Sequence, residues 1–313
     1  EESAAGFRRW LADRYGDVER LNDAWGTAFW SQHYASFEEV MPPRAAPASL
    51  NPTQQLDFDR FSSDALLELH RMESAIIRER SDKPITTNFM GFFKAADYWR
   101  WAEHVDFVTD DAYPDPADER SIIVAAASRD LMRSLAGDKP WILMEQATSA
   151  VNWRPRNAPK LPGAFRRLSL QAVARGADGI MQFQWRQSVR GSEKFHSAMV
   201  PHGGEDTRIY REVCALGEDL AALLPLKGAP VPASVAILFD WDSWWAIEQT
   251  DTPARVSYLR SIYAWYAALW RAGVTVDFAS KDSALDGYSL VLVPTMQVVS
   301  AETQARVAAA QAG

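Results

Sequence analysis

The carboxylate best placed for chemistry is Glu145, which closes the run Pro140-Trp141-Ile142-Leu143-Met144-Glu145, apolar and strand-prone up to its last residue. A nucleophile needs such a rigid mount, because near-attack geometry is lost with displacements of about an ångström. The competing reading is a solvated loop acid. Trp153, farther along the chain, offers a flat ring with an edge N–H, suited to the apolar face of a sugar; the bland alternative is a loop-packing aromatic. Glu193 and His196 stand at i and i+3 in Gly191-Ser192-Glu193-Lys194-Phe195-His196-Ser197. On one helical turn both would face one ligand and present an acceptor and a donor to adjacent hydroxyls. Taken singly they read as a solvated acid and a core or surface histidine. No HExxH or other metal-ligand spacing accompanies them, so no catalytic metal is expected.

Four short strand-prone runs separated by helical patterns would position these groups. They are Pro84 to Met90, Val105 to Tyr113, Pro140 to Glu145 and Gly179 to Trp185. Helices are expected around Tyr98 to Ala102, from Ser121 to Leu135 and from Ala164 to Arg175, and before them at Phe7 to Tyr15, Val18 to Trp25 and Gln55 to Glu79, with Ser36 to Pro52 a loop. Alternating strands and helices describe parallel β/α units, and four units are half of an eight-stranded barrel. The strand ends carry Asn88, Asp110 to Tyr113, Glu145 and Gln184 to Arg186, on the face where barrel enzymes build their sites. A doubly wound open sheet is the competing architecture, but no glycine-rich phosphate loop follows any strand.

Lys227-Gly228-Ala229-Pro230-Val231-Pro232 reads as a stiff linker, so residues 1–226, 227–233 and 234–313 are expected as half-barrel, linker and the start of an open α/β domain of Rossmann or flavodoxin-like type. The latter should hold strands at Val235 to Phe239, Val274 to Phe278 and Tyr288 to Val293, and helices from Ala254 to Ala272 and from about Ala301. Both chain ends are expected to be cut points, with Gln311-Ala312-Gly313 resembling a helix C-cap. A net charge of −8 with no basic stretch argues against nucleic acid, and no apolar run approaches the roughly 20 residues of a membrane span. The single cysteine, Cys214, rules out a disulfide framework within these residues and favours a reducing, cytoplasmic setting. Thirteen tryptophans are a high count, and flat rings with an edge N–H commonly line a site for the apolar face of a sugar; the bland alternative is that most of them are core.

Eight short motifs occur in order: Phe7-Arg8-Arg9-Trp10-Leu11, Leu21-Asn22-Asp23-Ala24-Trp25-Gly26, Thr86-Thr87-Asn88-Phe89-Met90-Gly91, Leu143-Met144-Glu145, Ser149-Ala150-Val151-Asn152-Trp153, Ala174-Arg175-Gly176-Ala177-Asp178, Phe183-Gln184-Trp185-Arg186 and Glu193-Lys194-Phe195-His196-Ser197-Ala198-Met199. Together they resemble the glycoside hydrolase family 42 β-galactosidases over nearly the whole chain. The resemblance implies the C-terminal half of a (β/α)8 barrel followed by a truncated trimerisation domain. It implies a retaining hydrolase acting on β-galactosides or galacto-oligosaccharides through a covalent galactosyl-enzyme, assembled as a homotrimer. A related specificity, α-L-arabinopyranosidase or β-fucosidase, is the alternative within enzymes; a non-catalytic sugar-binding protein is the alternative outside them.

Carried over by position, the resemblance makes Glu145 the nucleophile, Trp153 the wall of the galactose subsite, and Glu193 with His196 the pair that binds galactose hydroxyls. Tyr113 becomes the hydroxyl beside the nucleophile and Phe183 a pocket ring, with Asn88 and Asp110 as further substrate-binding candidates. Trp244-Trp245 would belong to the oligomer surface. No cofactor is implied. The family's Asn-Glu pair with the acid/base, an arginine, and a cysteine cluster that binds zinc in some members would all lie before residue 1. Gln146-Ala147-Thr148 and Asp111-Ala112-Tyr113 depart from the family pattern and bear on fine substrate preference.

Overall fold

The computed structural model describes residues 1–311, so the expected cap at Gln311-Ala312-Gly313 lies outside the described residues. Helices α1 (Glu2–Tyr15) and α2 (Val18–Trp25) form where expected, with the Asp17 side chain accepting from Arg20 N and Gly26 closing α2 in the left-handed region. They pack Phe7, Leu11, Leu21 and Trp25 against Phe58 and Phe61 of α3 (Pro52–Arg78). Beneath this layer the fully buried carboxylate of Asp57 accepts from Tyr15 Oη (2.5 Å) and Trp25 Nε1 (2.9 Å) and pairs with Arg60.

Then come α4 (Tyr98–Ala102), β1 (Val108–Asp111), α5 (Glu119–Ala136), β2 (Trp141–Glu145), α6 (Ala164–Ala174), β3 (Gly179–Ile180) and α7 (Arg208–Ala222), the last a helix not read from the sequence. The strands form one parallel sheet in the order β1-β2-β3, with the helices covering its outer side. Two expected strands are corrected. Pro84 to Met90 runs beside β1 but forms no ladder, because the Thr109 side chain occupies the place of a backbone partner. Its Oγ1 accepts from Phe89 N (3.2 Å) and donates to Thr87 O (2.5 Å), with backbone bonds only at Asp106 N to Ile85 O and Asp111 N to Phe89 O. The run Gly179 to Trp185 shortens to β3; beyond it single backbone bonds, Met181 N to Leu143 O (2.8 Å) and Phe183 N to Gln146 O (3.1 Å), and isolated bridges at Phe183 opposite Ala147 and Arg186 opposite Val200 continue the pairing without a regular ladder.

The second unit has β4 (Val235–Leu238), α8 (Trp241–Ile247), α9 (Tyr258–Arg271), β5 (Val276–Ala279), β6 (Leu290–Leu292) and α10 (Ala301–Gln311), with a parallel sheet ordered β5-β4-β6. Its apolar core continues into that of the half-barrel: Phe239, Trp241, Tyr258, Tyr266 and Phe278 pack with Phe89, Tyr98, Leu131 and Trp141. The placing of Trp244-Trp245 on an oligomer surface is therefore corrected. Both are buried, and Trp245 Nε1 donates to Lys94 O (2.7 Å) while Trp241 Nε1 donates to Phe93 O (2.9 Å). Helix α8 finds a dry partner for these rings within the chain, and truncating either to Ala should cost about 3–5 kcal/mol. Polar ties reinforce the contact: Arg133 of α5 reaches Asp277 of β5 (2.7 Å), and Arg60 reaches Asp242 of α8 (2.7 Å).

Candidate active site

Glu145 is the last residue of β2, and a break in register beside it decides what it faces. Asp110 of β1 pairs with Leu143, but the next residue, Asp111, pairs with Glu145, so Met144 is skipped. The extra residue is a bulge, which re-aims side chains at a strand end. The half-buried Glu145 carboxylate is held by one donor on each oxygen. Tyr113 Oη donates to Oε2 at 2.6 Å, and Asn88 Nδ2 donates to Oε1 at 3.1 Å. Burial, reinforced by the hydrogen bond and charge of Glu145, pushes the Tyr113 phenol well above its ordinary range, so it stays a donor. The same Asn88 nitrogen donates to Asp111 Oδ2 at 2.8 Å.

An aromatic wall stands beside this carboxylate, with the fully buried His196 ring at its centre. Ring centroids lie 4.9 Å from His196 to Phe183, 5.1 Å to Trp153 and 5.9 Å to Tyr113, and Tyr113 meets Trp153 edge-on at 4.9 Å. His196 Nδ1 sits 2.8 Å from Ser197 O; a carbonyl only accepts, so Nδ1 carries a proton, and in the tautomer with that single proton Nε2 is the acceptor. That Nε2 is buried and has no partner among the described residues. Trp153 is 53% exposed, a large ring left bare at the rim. Glu193 is exposed in a turn, and its charge acts on Tyr113.

Loops fix these groups against one another. The segment after β2 is sewn to the His196 loop by Thr148 Oγ1 to Ala198 O (2.9 Å), Ser149 N to Ser197 Oγ (2.9 Å) and Ser197 N to Ala150 O (2.9 Å). Arg154, next to Trp153, donates to Tyr113 O. The nearly fully buried Lys160 donates to Ala147 O, and burial lowers its ammonium to about 7. Gln146 and Thr148 point away from the site, Gln146 toward Ser169 on α6 (2.8 Å), so this departure from the family pattern does not reach the carboxylate's surroundings.

Glu145, Tyr113, Asn88, Trp153, Phe183 and His196 thus converge, with Glu193 at the edge. Asp110 does not. It is fully buried behind the strand, accepting from Ser128 on α5 (3.0 Å), under Gly91, whose φ of +59° and whose 2.6 Å clearance to Ser128 for an added Cβ leave room only for glycine. Strand alternation sends Asp110 to the helices, whereas Asp111, grouped with the strand end by sequence but not singled out as a site residue, pairs with Glu145. The signal was present in the period of two, but the bulge that sets its phase was not. Among the described residues no group of three or more His, Cys, Asp or Glu is placed to hold a metal ion, and no helix is long and apolar enough to cross a membrane.

The glycoside hydrolase 42 family model, described as β-galactosidase, matches residues 1–223. The chain belongs to this family. A second model, described as the β-galactosidase trimerisation domain, matches residues 233–313. A β-galactosidase of Arthrobacter sp is 53% identical over 317 residues, a match covering 100% of this chain and 46% of the relative. One of Geobacillus kaustophilus is 49% identical over 302 residues, covering 96% and 45%. The solved β-galactosidase from the Antarctic haloarchaeon Halorubrum lacusprofundi aligns with a TM-score of 0.92 at 36% identity, covering 99% of this chain and 48% of that one. The chain therefore spans about half the length of the relatives it matches, and its architecture is that of a partial TIM barrel followed by an α/β unit.

Proposed function

We propose that this chain supplies the nucleophile half of a retaining β-galactosidase, with Glu145 as the nucleophile. One Glu145 oxygen forms a bond to the anomeric carbon as the glycosidic C–O bond breaks, and an acid outside these residues protonates the departing oxygen. Water, deprotonated by that same group, then displaces the ester and restores the carboxylate. The two carboxyls must lie about 5–5.5 Å apart for this outcome. The observation that carries the reading is the two-donor hold on Glu145, Tyr113 at 2.6 Å and Asn88 at 3.1 Å, beside a wall of rings. Such a hold orients a carboxylate for attack, whereas a solvated loop acid would have no need of it.

In this reading Trp153 stacks on the sugar, His196 Nε2 accepts from a hydroxyl, Glu193 accepts from its neighbour, and Phe183 closes the wall. The chemistry runs on two carboxyls and water and calls for no cofactor. A homotrimer is supported by the match of residues 233–313, and a cytoplasmic setting by the lone, unpaired Cys214. The test is to trap the whole protein that carries these residues with dinitrophenyl 2-deoxy-2-fluoro-β-galactoside and map the labelled peptide. The label should fall on Glu145, and Glu145→Ala should abolish turnover with the fold intact; a label elsewhere, or near-normal hydrolysis by the variant, rejects the assignment. Preferential turnover of an α-L-arabinopyranoside or β-fucoside would move the specificity to the related class.

A further inference from the structure

Asp111 is half-buried at the end of β1, and among the described residues no cation pairs with it. Its Oδ2 accepts from Asn88 Nδ2 (2.8 Å), and its Oδ1 is buried without a partner. A second carboxylate, Glu145, acts on it from β2. As a packing arrangement this is unfavourable, since burying a carboxylate beside a like charge with an orphan oxygen costs stability. What it achieves is orientation. The Asn88 amide has two N–H protons, and here each finds a carboxylate oxygen, Asp111 on one side and Glu145 on the other. A lone Asn beside Glu145 is free to turn its carbonyl toward the carboxylate; one gripped by a second acceptor is not.

We propose that Asp111 is a positioning residue for Glu145, holding the Asn88 carboxamide so that its N–H groups address both carboxylates at once. This rests on Glu145 being the nucleophile. The hold depends on Asp111 being ionised, because a protonated Asp111 becomes a donor and no longer fixes which way Asn88 faces. Burial, then the charge of Glu145, raises the Asp111 carboxyl to about 6 against the lowering effect of Asn88. The other titratable groups that feel its charge are Asp110 on its own strand, Tyr113 two residues beyond the strand and Tyr98 on α4, with Glu193 acting on Tyr113 in turn. The grip is therefore engaged at neutral pH and loosened in acid.

The test measures covalent labelling by dinitrophenyl 2-deoxy-2-fluoro-β-galactoside, and steady-state kinetics against pH, in the whole protein and in Asp111→Asn, Asn88→Ala and the double variant. Labelling of Glu145 should slow by roughly tenfold or more in each single variant, as for lost support of a reacting group. The acid limb of kcat should move in Asp111→Asn with KM little changed. The double variant should be no slower than Asn88→Ala alone, because the effect passes through Asn88. If the parent is labelled but Asp111→Asn labels at the parental rate with its acid limb unmoved, or if the two changes add, the positioning role is wrong while the nucleophile stands. If the parent does not label at Glu145, both fail. Should Asp111→Asn not fold, Asp111→Ala removes the acceptor outright and is judged by the same outcomes.

Discussion

The Tyr113 hydroxyl lies 2.6 Å from Glu145 Oε2, with its proton held far more tightly than in an ordinary tyrosine. The pair is a neutral donor on a carboxylate, not a proton shuttle. Tyr113→Phe should leave the fold intact and lower kcat by roughly 100-fold, the scale for a lost donor at a reacting oxygen. Circular dichroism and kinetics check this together. An unchanged kcat would make the contact incidental, and an alkaline limb that vanishes in the variant would show that the phenol titrates after all.

Asp110 makes stability depend on pH. Burial raises its carboxyl from 3.8 to about 7, against the lowering influence of Arg129 and Ser128. The folded state therefore keeps a proton that the unfolded chain releases between about pH 4 and pH 7. Stability falls as pH rises through that interval, and the full cost is present above it. Asp110→Asn should stabilise the protein at pH 8 by about 2–4 kcal/mol and hardly at all near pH 4. Urea denaturation at the two pH values reads the difference, and an equal gain or loss at both would sink the account.

Trp245 separates fold from assembly. It is buried, with its N–H on Lys94 O at 2.7 Å. Trp245→Ala should cost about 3–5 kcal/mol of stability through the cavity it leaves. Thermal unfolding measured alongside light scattering decides: a normal melting curve with a broken oligomer would return this ring to a subunit interface.

Much of the site was legible because strand-end chemistry follows chain order. A short apolar run closed by one carboxylate makes Glu145 a candidate, and the motifs around Trp153, Phe183 and His196 make those residues candidates beside it. The choice between Asp110 and Asp111 was not legible, since it turns on the skipped Met144. Nor was the loss of the Pro84 to Met90 strand, where one Thr109 hydroxyl takes up bonds that a ladder would use.

By itself the sequence determined which groups stand at the ends of β1, β2 and β3 and which family they belong to, because period and motif are properties of neighbours along the chain. Only the tertiary structure decided that Asn88 bridges Asp111 and Glu145, that His196 is the hub of the aromatic wall, and that three tryptophans of the second unit are core. Those outcomes are set by contacts between distant segments competing for the same buried space, and chain order carries no record of that competition.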